Sequence, residues 1–267
     1  MVNQFGNYLC QRIMEEADSE DMEKIVETIQ YDLVTVSLNI HGTRVIQILI
    51  ERLSRGILDN IQRNEHLILQ AETSSSCNEC IPFEQIKGFQ FSQEHTRNHA
   101  VLLRVIDCLN QSVIDLIMDM HGNHVIQAFL IQFKAADKPQ YGDIAGAKQT
   151  SKYTDFIFDA CILECVPIGM HKHGCCVMQR CLEKGSRAQK LRLSNYIIDN
   201  LHHLIEDPYG NYLVQNVLKL EDRDKNEQIF RQIAKDFIRL SQLKFSSNVI
   251  EKCLDSKMSW SAEVHPS

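Results

Sequence analysis

One heptapeptide recurs six times along this chain, and a unit repeated at set intervals constrains the fold more tightly than any local propensity. It reads Phe5-Gly6-Asn7-Tyr8-Leu9-Cys10-Gln11, then His41-Gly42-Thr43-Arg44-Val45-Ile46-Gln47 and His121-Gly122-Asn123-His124-Val125-Ile126-Gln127. It returns as His173-Gly174-Cys175-Cys176-Val177-Met178-Gln179, as Tyr209-Gly210-Asn211-Tyr212-Leu213-Val214-Gln215, and most altered as Phe245-Ser246-Ser247-Asn248-Val249-Ile250-Glu251. Gly6 to Gly42, Gly174 to Gly210 and Gly210 to Ser246 are each 36 residues apart. The two remaining steps, of 80 and 52 residues, exceed that period and imply insertions.

Around each heptad the apolar residues keep helical spacing. A run precedes the motif at Ile25 to Leu38, Val101 to Met118, Phe156 to Val166, Leu191 to Leu204 and Ile229 to Leu240. Val45, Ile46, Leu49, Ile50 and Leu53 continue the spacing after it. This predicts two helices per repeat, with the glycine at the turn between them. One such unit cannot bury its own apolar faces, so stacked neighbours must share a continuous core. With only 11 Gly and 5 Pro in 267 residues, and 44% apolar residues, the expectation is an all-α, right-handed superhelix of about six repeats. The repeat domain is expected over 1–255, with loop-like insertions near 54–98 and 134–151 and a tail over 256–267. Ile57 to Ala71 has the composition to extend a helix into the first insertion.

The motif offers the same chemistry six times. Positions 3 and 7 lie one helical turn apart on one face, and position 4 projects beside position 3. Positions 5 and 6 point inward. Asn with Gln supplies two amides, which can meet the acceptor–donor–acceptor edge of uracil. Ser247 with Glu251 sets a carboxylate beside a small residue, which suits the adjacent N–H groups of guanine. Thr43 or Cys175 with Gln leaves one amide and an apolar ledge, which suits adenine. Tyr8, Arg44, His124 and Tyr212 at position 4 can stack between bases, while Cys176 weakens stacking in its repeat. The alternative for any single heptad is a hydrogen-bond ladder or a solvated surface; six copies in register favour recognition.

These heptads resemble those of the PUF (Pumilio) family, in which each helical repeat reads one base with two or three side chains. The resemblance covers nearly the whole chain outside the insertions and tail, and the order looks like the second through seventh of the family's eight repeats. It implies single-stranded RNA bound antiparallel, with the C-terminal repeats on the 5′ bases. The implied contacts are Ser247, Asn248 and Glu251 for G, Asn211, Tyr212 and Gln215 for U, and Cys175, Cys176 and Gln179 for A. Asn123, His124 and Gln127 then take U, Thr43, Arg44 and Gln47 take A, and Asn7, Tyr8 and Gln11 take U. Read 5′ to 3′ this is GUAUAU, within a UGUA-type element. The resemblance further implies binding to messenger RNA 3′ UTRs, with repression or decay through recruited deadenylase, by a cytoplasmic, monomeric, non-enzymatic protein. A non-specific nucleic-acid-binding solenoid of ribosome biogenesis and a protein-binding helical scaffold are the rival readings.

Charge and cysteines narrow the field. A net charge of −7 means that phosphate attraction is not the main source of affinity, so base contacts must carry more of it. No apolar run reaches the roughly 18 residues of a membrane span, and Met1 to Asp21 lacks the pattern of a secretory signal. The ten cysteines are therefore expected as reduced thiols. Cys77-Asn78-Glu79-Cys80 is a lone C-x-x-C with no second pair to complete a zinc site. Cys161, Cys165, His171, His173, Cys175, Cys176 and Cys181 crowd together in sequence, but the heptad and the helical core account for most of them. No metal or other cofactor is expected, and no catalytic dyad or phosphate loop is evident.

Overall fold

The computed structural model describes residues 1–64, 67, 88, 90–134 and 150–255. Most of both insertions, the Cys77/Cys80 pair and the 256–267 tail lie outside the described residues.

Among the described residues every regular element is a helix. They are α1 (Gly6–Glu16), α2 (Ser19–Ile29), α3 (Leu33–Ser37), α4 (Gly42–Arg63), α5 (Gln93–Asn110), α6 (Val113–Met118), α7 (Gly122–Gln132) and α8 (Asp155–Leu163). There follow α9 (Cys165–Gly169), α10 (Lys172–Lys184), α11 (Arg187–Asp199), α12 (Leu201–Leu204), α13 (Gly210–Leu218), α14 (Arg223–Ala234), α15 (Phe237–Ser241) and α16 (Ser246–Asp255). Side-chain N-caps start three of them: Asp18 accepts from the Glu20 and Asp21 N–H groups, Ser92 from His95 and Asp222 from Lys225.

Each of the last five repeats has three helices rather than the two expected. The apolar run ahead of each of these heptads breaks into a longer and a shorter helix. The break falls at Asp32, Ser112, Glu164, Asn200 and Asp236, each ten residues before the glycine position. At all of these but Asp32 the backbone leaves the helical region, as at Asp236 with φ −139° and ψ 32° and Glu164 with φ −117° and ψ 46°. A polar residue inside an apolar run was the available signal. Apolar spacing alone does not register it, because the buried faces of the two helices stay nearly in phase.

The break aims the short helix at the heptad. A Cβ on Gly42 would run into the Val36 carbonyl, and one on Gly174 into that of Ile168. At Gly122 and Gly210 the equivalent distances, to Leu116 O and Leu204 O, are 2.9 and 2.7 Å. Close backbone approach therefore selects the glycine.

The chain divides into two compact units: Met1–Asp159 with Lys184–Arg187, and Ala160–Glu183 with Ala188–Ser267. In the first, α1, α4 and α7 pack side by side, α6 lies against α7, and α5 lies against α2 and α4. Val45, Ile46, Leu49, Val105, Leu109, Val125 and Phe129 are sealed from solvent. Leu9 and Ile13 hold the places of Val45 and Leu49 but remain exposed, because α1 has no helix pair laid over it among the described residues. In the second unit α13 packs against α16, and Ile168, Val177, Leu204, Leu213, Val217, Ile233 and Val249 form the core. Cys161, Cys165, Cys181 and Cys253 belong to this apolar interior, and burial pushes the Cys165 and Cys253 thiols up to about 12.

Candidate nucleic-acid interface

Every heptad but the last begins with a side-chain cap that the sequence reading did not anticipate. Asn3 Oδ1 accepts from the N–H groups of Phe5 and Gly6, and Asn39 Oδ1 from those of His41 and Gly42. Asp119 serves His121 and Gly122 at 2.7 Å each, and Asp207 serves Tyr209 and Gly210. His171 Nδ1 accepts from His173 N–H and Gly174 N–H at 3.3 and 3.4 Å. The caps satisfy free N–H groups of the first turn and set the angle at which positions 3, 4 and 7 are presented. Their signal was an Asn, Asp or His three residues before each glycine. Burial disfavours the charge on Asp119, but the Gly122 and His121 N–H groups outweigh it and hold this carboxyl below its usual range.

Position 3 was expected to offer its polar group outward, and in the three Asn repeats it does not. Asn7, Asn123 and Asn211 are 5%, 2% and 1% exposed. Their Nδ2 groups donate to backbone carbonyls: Asn3 and Gln4 for Asn7, Asp119 and Met120 for Asn123, Asp207 and Pro208 for Asn211. Carbonyls only accept, so the orientation of each Asn amide is fixed. Its Oδ1 then receives the Nε2 of the Gln one turn later, at 2.7 Å for Gln11, 2.8 Å for Gln127 and 2.9 Å for Gln215. Among the described residues this leaves one Gln Oε1 acceptor and one Gln N–H donor open, side by side.

The other repeats lack this clamp. Thr43 is buried, and its hydroxyl donates to the His121 carbonyl of the next repeat at 3.1 Å. Gln47 makes no side-chain hydrogen bond among the described residues. Cys175 is buried, its Sγ lies 3.4 Å from the Lys172 carbonyl, and Gln179 reaches it only at 3.8 Å. Burial, with Cys176 beside it, pushes the Cys175 thiol up to about 12, so it stays neutral. Ser247 donates to the Lys244 carbonyl at 3.3 Å, and Glu251 is exposed.

Position 4 projects to solvent in all six copies: Tyr8, Arg44, His124, Cys176, Tyr212 and Asn248 are exposed. In the first unit two successive heptads come together. Phe5, Asn7, Tyr8 and Gln11 of one, with His41 and Arg44 of the next, line a recess of about 540 Å³. Its lining thus combines rings, a guanidinium and amides.

Successive heptad helices with position 4 exposed and, in all but the last, position 3 buried and a half-buried amide at 7, define a tandem helical-repeat protein carrying one polar triplet per unit. The chain belongs to the Pumilio family: the model of the Pumilio-family RNA binding repeat matches residues 1–29, 32–61, 112–139, 164–198, 200–234 and 237–256. A Pumilio domain-containing protein of Schizosaccharomyces pombe is 31% identical over 254 residues, covering 95% of this chain and 29% of that protein. Suppressor protein MPT5 of Saccharomyces cerevisiae is 30% identical over 256 residues, covering 94% and 24%. The chain thus spans about a quarter of the length of these relatives. Among solved structures, the Puf4 RNA binding domain bound to an HO endonuclease RNA 3′ UTR recognition sequence aligns with a TM-score of 0.69 at 30% identity, covering 96% of this chain and 62% of that one. The RNA-binding domain of yeast Puf5p bound to MFA2 RNA aligns with a TM-score of 0.67 at 25% identity, covering 95% and 55%.

Proposed function

We propose that this chain binds single-stranded RNA in a sequence-specific manner, one base per repeat, with GUAUAU as its preferred core. The observation that carries the reading is the clamped Gln of the Asn repeats. An Oε1 acceptor beside an N–H donor pairs with uracil N3–H and one of its carbonyls. In the Thr43 and Cys175 repeats the Gln is free to turn over and meet adenine N1 and N6–H instead. Glu251 suits the two adjacent N–H groups of guanine. The exposed residues at position 4 supply stacking surfaces between successive bases. Puf4, a structural relative, is described with a 3′ UTR recognition sequence, which supports messenger RNA 3′ UTRs as the target class for this chain. Repression or decay of those messages through recruited deadenylase is the downstream part of the same proposal.

The test is selection from a random RNA pool, repeated with the Ser247→Asn, Glu251→Gln double variant. The expected outcome is enrichment of a GUA-containing motif, with the first G replaced by U for the variant. Binding that falls steeply with salt and enriches no motif would instead indicate a non-specific nucleic-acid binder.

A further inference from the structure

A second site lies away from the heptads, within the first unit. Helix α4 runs to Arg63, twenty-one residues past Gly42, whereas α7 stops ten past Gly122. Against its extra turns, α5 and the α1–α2 junction enclose a recess of about 510 Å³. At its wall Gly56 forms a notch: a Cβ there would collide with the Asn98 amide and come within 3.4 Å of Glu94 Oε1. Asn98 lines the recess, is 4% exposed and makes no side-chain hydrogen bond among the described residues. Arg52 donates through Nη2 to the Ala17 carbonyl at 2.9 Å, while its Nε is buried without a partner.

The open hydrogen-bonding capacity is of two kinds. The Asn98 amide can donate, which suits a peptide carbonyl. Asn98 Oδ1 and the carboxylates of Asp59 and Glu94, which form no ion pair among the described residues, can accept. They suit a peptide N–H and a cation. The guanidinium of Arg55 is already held by Glu51 at 2.9 Å and the carboxylate of Glu16 by Arg12 at 2.8 Å, while Asp18 adds further negative charge at the rim. This balance repels phosphate and so disfavours RNA.

We propose that this recess binds an extended peptide segment of a partner protein, its main chain held by Asn98 and an arginine side chain received by Asp59 and Glu94. The planar guanidinium fork matches paired carboxylate acceptors better than a point charge does. The site uses no heptad residue, so it does not rest on the RNA reading.

The experiment measures fluorescence anisotropy of a labelled acetyl-Gly-Ala-Arg-Ala-Gly-amide peptide with the full chain, beside the same peptide carrying neutral, isosteric citrulline. The arginine peptide is expected to saturate, and the citrulline peptide to bind at least about tenfold more weakly. Asp59→Asn with Glu94→Gln, both nearly isosteric, should weaken arginine-peptide binding to a similar degree while leaving binding of a GUAUAU-containing RNA unchanged. Asn98→Leu should weaken both peptides alike. Equal binding of the two peptides, no saturation at millimolar peptide, or no effect of the double variant would overturn the proposal. So would displacement by that RNA, or by spermidine at concentrations equal to the peptide.

Discussion

The hydroxyl of Ser246 donates to the carbonyl of Leu240 at 2.6 Å, six residues earlier, and in four other repeats that same carbonyl position is what only a glycine can approach. The altered heptad therefore keeps the geometry by replacing a steric fit with a hydrogen bond. Ser246→Ala should cost about 1 kcal/mol, because the carbonyl loses its hydroxyl partner while the added bulk is unchanged. Gly42→Ala or Gly174→Ala should cost about 1–3 kcal/mol through overpacking. At Gly6 the nearest atom to a new Cβ is Asn3 Cβ at 3.6 Å, so Gly6→Ala should be neutral or slightly stabilising. Urea unfolding midpoints of the four variants rank them.

The clamp between Asn211 Oδ1 and Gln215 Nε2 should determine which base that repeat prefers. Asn211→Cys removes it and recreates the environment of Gln179. The expected result is a change from U to A at that position, with discrimination of about 1–3 kcal/mol by analogy with paired base contacts in DNA. Competition between two RNAs differing at that single base measures it. An unchanged preference would show that Gln orientation is not the determinant.

Stacking should follow the exposed residue at position 4. Tyr212→Ala is expected to weaken RNA binding by about 1–3 kcal/mol. Cys176→Tyr should strengthen it, since a ring replaces a thiol that offers little surface. Equilibrium titration with GUAUAU-containing RNA reports both.

His95 makes the first unit sensitive to acid. Its ring is buried between Phe91, at 4.6 Å between centroids, and His99. Burial, and then the proximity of His99, push the imidazole down to about 4 from 6.5. The unfolded chain takes up the proton near 6.5 and the native state only near 4. Stability is therefore full above 6.5, falls as the pH drops between those values, and levels off below 4, a loss of about 3 kcal/mol. His95→Phe should remove that dependence in urea unfolding measured from pH 7.5 to 4.5.

Asp119 acts in a lower range. Its carboxyl is held below the usual value, so its contribution is present above the ordinary carboxylate pKa and is lost as the pH falls through the depressed one. Asp119→Asn should keep the cap, as Asn3 and Asn39 do, and remove this part of the acid sensitivity. Unfolding midpoints below pH 4 separate it from the His95 effect.

Read as a string of residues, the chain already determined its repeat period, its helical class and the residues of each triplet. Val45, Val125 and Leu213 lie in the core and Tyr8, His124 and Tyr212 in solvent, as their helical spacing requires, because which face of a helix is apolar is a local property. Asp32, Asn200 and Asp236 were visible as polar interruptions, but whether an interruption bends a helix depends on what packs against it. Only the tertiary structure decided that Asn7, Asn123 and Asn211 are turned inward to orient their glutamines, and that Thr43 gives its hydroxyl to the neighbouring repeat. Amides and hydroxyls can donate or accept in several directions, and the choice is made by whichever backbone carbonyls the fold brings within reach. The Gly56–Asn98 notch was hidden for the same reason: the two residues are 42 positions apart, and only the packing of α4 against α5 makes them neighbours.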